Sequence, residues 1–157
     1  MKPLVSTLIL LLSLCFSISA QKSAIVLKWQ YENIPGTQNE YECTLHAENF
    51  DDILSIQFTL NWDVNNVSFL KLAPQQLPDL TENNYNTQTT DKGFIRFLWI
   101  DLDLKGVQLP KGSPLFSLHV KTQGNPPRIN ISSEPLSIEV IDTDNVSRQL
   151  MVSQKER

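Results

Sequence analysis

The chain has 157 residues, a length that fits one domain with its own core. Its formal net charge of −4 at pH 7 argues against a nucleic-acid partner, which selects for a basic face. The sequence has no polybasic segment for a membrane surface, and its two cysteines exclude a framework of several disulfides.

The first predicted element is an export signal. Lys2 precedes a nearly unbroken apolar run over residues 4–18, and small residues follow at a typical cleavage site. The run is short for a membrane span, which needs about 20 apolar residues. We therefore predict a signal peptide over residues 1–20 and one domain over residues 21–157. That domain is expected to be secreted, extracellular or periplasmic, without membrane attachment after cleavage.

The two cysteines have different expected fates. A lipid anchor at Cys15 is the alternative to a cleaved signal, although Leu14 stands where a small residue is expected. Once the signal is removed, Cys43 is the remaining cysteine and has no intramolecular partner for a disulfide. It alternates with Tyr41 and Leu45 on the apolar side of a strand, which predicts a buried, unreactive thiol.

Alternation of apolar and polar side chains dominates the rest of the chain and predicts β-strands. The clearest run is residues 53–62, where Phe58, Leu60 and Trp62 share one face. A polar segment over residues 74–90, mainly loop with room for a short strand or turn inside it, separates the fourth and fifth strands. The nine predicted strands are residues 24–31, 41–48, 53–62, 67–73, 93–101, 115–122, 128–132, 136–141 and 147–152.

Short strands with regular turn signals predict an all-β antiparallel sandwich, because each alternating strand has an apolar face to bury. The side chains expected between the two sheets are Phe58, Leu60, Trp62, Phe97, Trp99, Phe116 and Leu118.

The strand at residues 93–101 is apolar on both faces. Phe94, Leu98 and Ile100 alternate with the expected core residues, and only Arg96 is polar on that second face. Two interpretations remain open: the long loop covers this face, or the face is an exposed apolar surface that binds a partner.

The sequence offers little catalytic chemistry. His46 and His119 fall on the polar faces of their strands, and no nucleophile-elbow, phosphate-loop or zinc-protease motif occurs. Asp101 with Asp103, and the segment 142–145, each group carboxylates, but the second lacks the glycine and final glutamate of a calcium loop. We interpret both groups as solvated turn residues and predict a non-enzyme without catalytic residues, cofactor or metal.

Aromatic residues raise a second possible function, because a flat aromatic platform would bind sugar rings. Trp62 and Trp99 are in register with the core residues of their strands, whereas Tyr85 lies in the polar loop and is the freer candidate. The full set is Trp29, Tyr31, Tyr41, Trp62, Tyr85 and Trp99.

Three segments, in order, resemble the cohesin domain. They are Ile-Gln-Phe-Thr-Leu-Asn-Trp-Asp at residues 56–63, followed by the apolar run 67–72; Gly-Phe-Ile-Arg-Phe-Leu-Trp at 93–99; and Lys-Gly-Ser-Pro-Leu-Phe-Ser-Leu-His-Val at 111–120. The resemblance implies a nine-stranded jelly roll of the carbohydrate-binding-domain-like superfamily. It also implies a non-enzymatic module that binds dockerin modules in assemblies that degrade polysaccharide.

The resemblance further implies a partner-binding face that carries Ser55, Gln57, Leu98 and Asp101. Leu98 is expected at its centre, with Gln57 and Asp101 at its rim. The sequence therefore predicts a secreted, non-catalytic module whose partner is another protein of dockerin type. Direct binding of polysaccharide is the alternative.

Overall fold

Ten β-strands in two facing sheets form the part of the chain that the structure, a computed structural model, describes: residues 22–153. The predicted signal peptide, residues 1–20, lies outside the described residues. The strands are β1 (Ile25–Asn33), β2 (Glu40–Glu48), β3 (Ile53–Asn61), β4 (Val67–Pro74), β5 (Tyr85–Asn86), β6 (Phe94–Ile100), β7 (Ser113–Thr122), β8 (Asn130–Ser132), β9 (Glu139–Asp142) and β10 (Leu150–Ser153).

The first sheet has the order β10-β1-β2-β7-β4, and the second has the order β5-β6-β3-β8. Strand β9 pairs with β3 on the same side as β8, so these two short strands share one edge of β3. The β1–β10 pair is parallel and the other pairs are antiparallel. This arrangement confirms the predicted sandwich with jelly-roll architecture.

The core lies between the sheets and contains all seven predicted side chains, each at most 7% exposed. The rings of Phe58 and Phe97 stack across β3 and β6 with centroids 4.9 Å apart. Phe97 also meets Phe116 of the first sheet at 4.8 Å, so aromatic contacts join the two sheets directly. The indole Nε1 of Trp99 donates a hydrogen bond of 2.7 Å to the Pro78 carbonyl, which satisfies its one polar group inside the core.

The strand count is ten rather than the predicted nine, because the polar loop contributes the two-residue strand β5. Two 3₁₀ helices, Glu82–Asn84 and Thr87–Lys92, flank β5. The side chain of Thr81 caps the first helix by accepting a hydrogen bond from the Asn83 backbone N–H. This polar segment therefore runs beside β6 as an ordered edge of the second sheet.

Cys43 is buried, as its place in the alternating pattern predicted, and it forms no disulfide within residues 22–153. Burial raises the pKa of its thiol to about 12, so the reactive thiolate is scarce near neutral pH. Within residues 22–153, no helix has the length and apolar character needed to cross a membrane.

Candidate functional site

The outer face of the second sheet brings three of the four predicted site residues together. In the antiparallel register of β3 and β6, Gln57 lies opposite Leu98, and Ser55 lies opposite Ile100. Alternating side chains on these strands point away from the core, because their neighbours Ile56, Phe58, Phe97 and Trp99 are fully buried.

Four large apolar side chains follow one another along β6 and the loop after it, and they are exposed. We call them the apolar row: Leu98, Ile100, Leu102 and Leu104, which are 42%, 43%, 75% and 69% exposed. Of the two interpretations of the second face of β6, the structure supports the exposed surface at Leu98 and Ile100, whereas Phe94 is half-buried. The segment 82–92 lies along the edge of β6 and leaves Leu98 open to solvent.

Asp101 does not lie at the rim of this face, contrary to the expectation from the sequence. It is 6% exposed, and its carboxylate accepts hydrogen bonds from the backbone N–H groups of Asp103 at 3.1 Å, Lys105 at 2.9 Å and Gly106 at 2.8 Å. The physical reason is that β6 ends at Ile100, so strand alternation no longer determines the direction of the next side chain. Asp101 is therefore a buried acceptor whose hydrogen bonds hold the loop after β6 in one conformation.

The loop after β6 combines tight packing with unusual backbone angles. Leu104 has φ of 54°, a left-handed conformation that is costly for a leucine. Gly106 has φ of 83°, and a Cβ atom there would clash with the methyl group of Thr143. The hydrogen bonds to Asp101 hold this conformation, and its result is the exposure of Leu102 and Leu104. Strained backbone held in this way is found mainly at functional sites.

One part of the predicted open face of β3 is covered. Thr59 is fully buried because residues 136–137 cross over it. Its Oγ1 donates to the Leu136 carbonyl at 3.3 Å and accepts from the Leu136 backbone N–H at 3.1 Å. Gln57 is partly tied to the same segment, since its Nε2 donates to the Ser137 carbonyl at 3.2 Å. The apolar row therefore borders residues 136–137, which lie across β3 on the same face.

A groove of about 490 Å³ lies on this face between residues 82–88 and Leu136. Arg96 and Leu98 contribute to it from β6, so the groove is continuous with the apolar row. Arg96 is exposed and lies opposite Asn86 in the strand register. Its side chain forms no ion pair or hydrogen bond with any residue of the described chain.

The aromatic residues do not form the platform that sugar binding would require. Trp29, Trp62 and Trp99 are at most 7% exposed. Tyr85 is half-buried against the core, and this burial raises the pKa of its hydroxyl. Trp29 and Tyr31 do stack, with centroids 6.2 Å apart, but Trp29 is buried and Tyr31 packs against the core. Among residues 22–153 no pair of exposed, coplanar rings is present.

The two histidines lie on different strands and contact different residues. The Nδ1 of His46 is 2.9 Å from the Gly112 carbonyl, and the Nε2 of His119 is 3.5 Å from the Glu42 carboxylate. No group of three histidine, cysteine or acidic side chains within the described chain is arranged to hold a metal ion.

The carboxylates of segment 142–145 are arranged differently from the predicted solvated turn. Asp142 is fully buried, while Asp144 remains exposed. Lys22 lies 3.0 Å from Asp142 and 2.7 Å from Asp144, and Arg148 lies 3.9 Å from Asp142. These two basic side chains sit beside Asp142 and supply the opposite charge that a buried carboxylate requires.

Burial disfavours the charged form of Asp142, but the hydrogen bonds from Lys22 and from two backbone N–H groups outweigh it. The pKa of this carboxyl therefore lies below its usual value.

Comparison with models of protein families gives no match, and neither does comparison with curated protein sequences. Solved structures do match. A type I cohesin of the ScaB scaffoldin from Pseudobacteroides cellulosolvens is 13% identical with a TM-score of 0.62, over 84% of this chain and 88% of that one. A type I cohesin–dockerin complex from Clostridium thermocellum contains a chain that is 19% identical with a TM-score of 0.61, over 85% of this chain and 91% of that one. A non-cellulosomal cohesin from the archaeon Archaeoglobus fulgidus is 16% identical with a TM-score of 0.59, over 83% of this chain and 86% of that one. The chain therefore has the cohesin fold.

Proposed function

We propose that this protein is a secreted, non-catalytic module that binds a dockerin-type protein module on the outer face of its second sheet. The observation that carries the proposal is the apolar row, because a run of exposed large apolar side chains along β6 and the loop after it is typical of a binding surface. Protein interfaces place such side chains at their centre and polar groups around them.

Two further observations support a protein partner over a sugar. The buried Asp101 holds Leu102 and Leu104 in an exposed and strained loop. Because this loop is already held in one conformation, less conformational entropy is lost when a partner binds. The aromatic side chains that would stack on sugar rings are instead used in the core. Several solved cohesins with this fold are in complex with dockerin modules. We extend the proposal to an assembly that degrades polysaccharide, which is the setting implied by the sequence resemblance.

Substitution of Leu98 by Asp tests the proposal. The protein beginning at Gln21 would be immobilised and used to capture proteins from the secreted fraction of its source organism. The captured partner would then be purified for affinity measurements. Leu98→Asp should weaken binding by at least about tenfold, as expected at the centre of an interface. Its free energy of unfolding should change by only about 0.5 kcal/mol, since no core side chain is removed.

Leu70→Asp is the matched control, because Leu70 is 48% exposed but lies on β4 of the other sheet. It should leave partner binding unchanged. Equal loss of binding in both variants would contradict the proposed face. Retention of the protein on an insoluble polysaccharide, unchanged by Leu98→Asp, would favour direct carbohydrate binding instead.

A further inference from the structure

The first described residues are tied to the turn between β9 and β10. The ammonium group of Lys22 lies 3.0 Å from the Asp142 carboxylate and 2.7 Å from that of Asp144. The backbone carbonyl of Ser23 accepts a hydrogen bond from the Arg148 guanidinium group. Contacts at residues 22 and 23 therefore anchor the segment that leads into β1.

Lys22 carries the larger part of this anchoring, because it neutralises a buried charge. The side chain of Asp142 is 1% exposed, and the other cation beside it in the described chain, Arg148, is farther away at 3.9 Å. Removal of one partner from a buried ion pair leaves an uncompensated charge, which strongly destabilises a fold. Stability of the β9–β10 turn therefore depends on retention of Lys22.

The predicted signal cleavage places Lys22 next to a new chain end. Cleavage after Ala20 makes Gln21 the first residue, with a free α-amine. Gln21 itself lies outside the described residues. Because proteolysis concentrates at chain termini, an aminopeptidase that removes Gln21 and then Lys22 would take away the partner of Asp142.

Glutamine at a chain start has a chemistry that blocks such trimming. The α-amine nitrogen attacks the Cδ carbon of the side-chain carboxamide, the bond between Cδ and Nε2 breaks, and the leaving nitrogen takes up the amine proton and departs as ammonia. The product is pyroglutamate, a five-membered lactam with a neutral amide in place of the charged amine. The reaction consumes no oxidant, reductant or co-reactant. An aminopeptidase that binds a free amine finds none on this product.

We propose that the secreted protein begins with pyroglutamate at residue 21, and that this closed end preserves the contact between Lys22 and Asp142. The inference rests on the export in the proposed function, because it requires cleavage after Ala20. It is independent of partner binding at the apolar row.

Mass spectrometry of the protein purified from the secreted fraction of its source organism tests the modification. Its N-terminal peptide should begin at residue 21, with a mass lower by one ammonia than the same peptide with free glutamine. Gln21→Asn is the matched control, because its carboxamide is one methylene too short to close the five-membered lactam, and this variant should keep a free amine. A free Gln21, or a start at another residue, would overturn the inference and leave the proposed binding face intact. A secreted chain that retains residues 1–20 would also contradict cleavage of the predicted signal.

A peptidase challenge tests the consequence for the fold. The closed protein and the Gln21→Asn variant are incubated with an aminopeptidase of broad specificity, and a protein that begins at Ser23 serves as the reference for complete trimming. The closed protein should keep Lys22 and its Tm. The variant should lose residues 21 and 22, and its Tm should fall by at least about 3 °C. Equal resistance of the two proteins, or an unchanged Tm after loss of Lys22, would overturn the protective role.

Discussion

At the scale of single residues, Asp101 shows how one side chain shapes a surface without belonging to it. It is buried, yet the backbone donors that it satisfies determine where Leu102 and Leu104 stand in solvent. We therefore regard it as a positioning residue for the proposed interface. Removal of its oxygen atoms would leave backbone N–H groups without acceptors, and the left-handed conformation of Leu104 would lose its support.

We predict that Asp101→Ala lowers the free energy of unfolding by about 1–3 kcal/mol, the range for leaving buried polar groups unsatisfied. It should also weaken partner binding, because the loop no longer holds its two leucines in place. Chemical denaturation and titration calorimetry measure the two effects. Asp103→Ala is the control, since that side chain is 74% exposed and its one ion pair within residues 22–153 is with Lys105. Unchanged affinity in Asp101→Ala would contradict the positioning role.

At the scale of elements, the turn between β9 and β10 is tied to the start of the described chain. Lys22 contacts Asp142, and Arg148 donates to the carbonyls of Ser23 and Asp51. Strand β10 pairs in parallel with β1, so both ends of the described chain meet in one sheet. The charged cluster around Asp142 therefore stabilises the turn that precedes β10 and so supports the pairing of β10 with β1.

The pKa of Asp142 gives this cluster a pH dependence with a definite sign. Because the folded pKa lies below the usual value of 3.8, the carboxylate stabilises the fold fully above that value. This stabilisation is lost as the pH falls through the folded pKa. We predict that Asp142→Asn unfolds more easily than the natural protein at pH 7, and that the difference shrinks as the pH falls below the usual value of 3.8 and through the folded pKa.

Thermal unfolding between neutral and acidic pH measures this effect. Asp144→Asn should change stability little, because its side chain is 65% exposed and exposed ion pairs contribute little. A constant difference between Asp142→Asn and the natural protein at all pH values would show that the ionised form of Asp142 has no stabilising role.

At the scale of the whole molecule, Cys43 reports on global unfolding. It lies between the sheets with no exposed surface, and its raised pKa of about 12 keeps the thiol protonated. We predict that a thiol reagent at pH 8 labels the folded protein beginning at Gln21 only through unfolding. The labelling rate should therefore increase with urea in parallel with the unfolded fraction. Leu104→Cys, at a position that is 69% exposed, should label at once in the native state.

Rapid labelling of Cys43 in the native protein would contradict this prediction. It would mean that the first sheet opens locally around β2, since Cys43 lies in that strand between β1 and β7.

Much of the fold was predictable because it depends on local alternation. Residues 53–62 alternate strictly, and a strand that alternates in this way has one face to bury. The burial of Phe58, Trp62 and Cys43 follows from parity along their own strands. Strand β5 lies in the segment 74–90, for which the sequence indicated mainly loop with a short strand or turn inside. Its position could not be predicted, because two residues are too few to show a period and the surrounding sequence is rich in turn-forming residues.

The candidate site, like the fold, was predictable only where it depends on alternation along a strand. Alternation along β3 and β6 determined from the sequence alone that Gln57 and Leu98 leave the core, since neighbouring side chains on a strand point to opposite faces. Only the tertiary structure decided what meets those side chains outside the core. Leu136 covers Thr59, the backbone of the loop after β6 surrounds Asp101, and Arg96 forms no ion pair within the described part of the chain. These outcomes depend on distant segments and on loop conformations beyond the strand ends, where the pattern of a single strand carries no information.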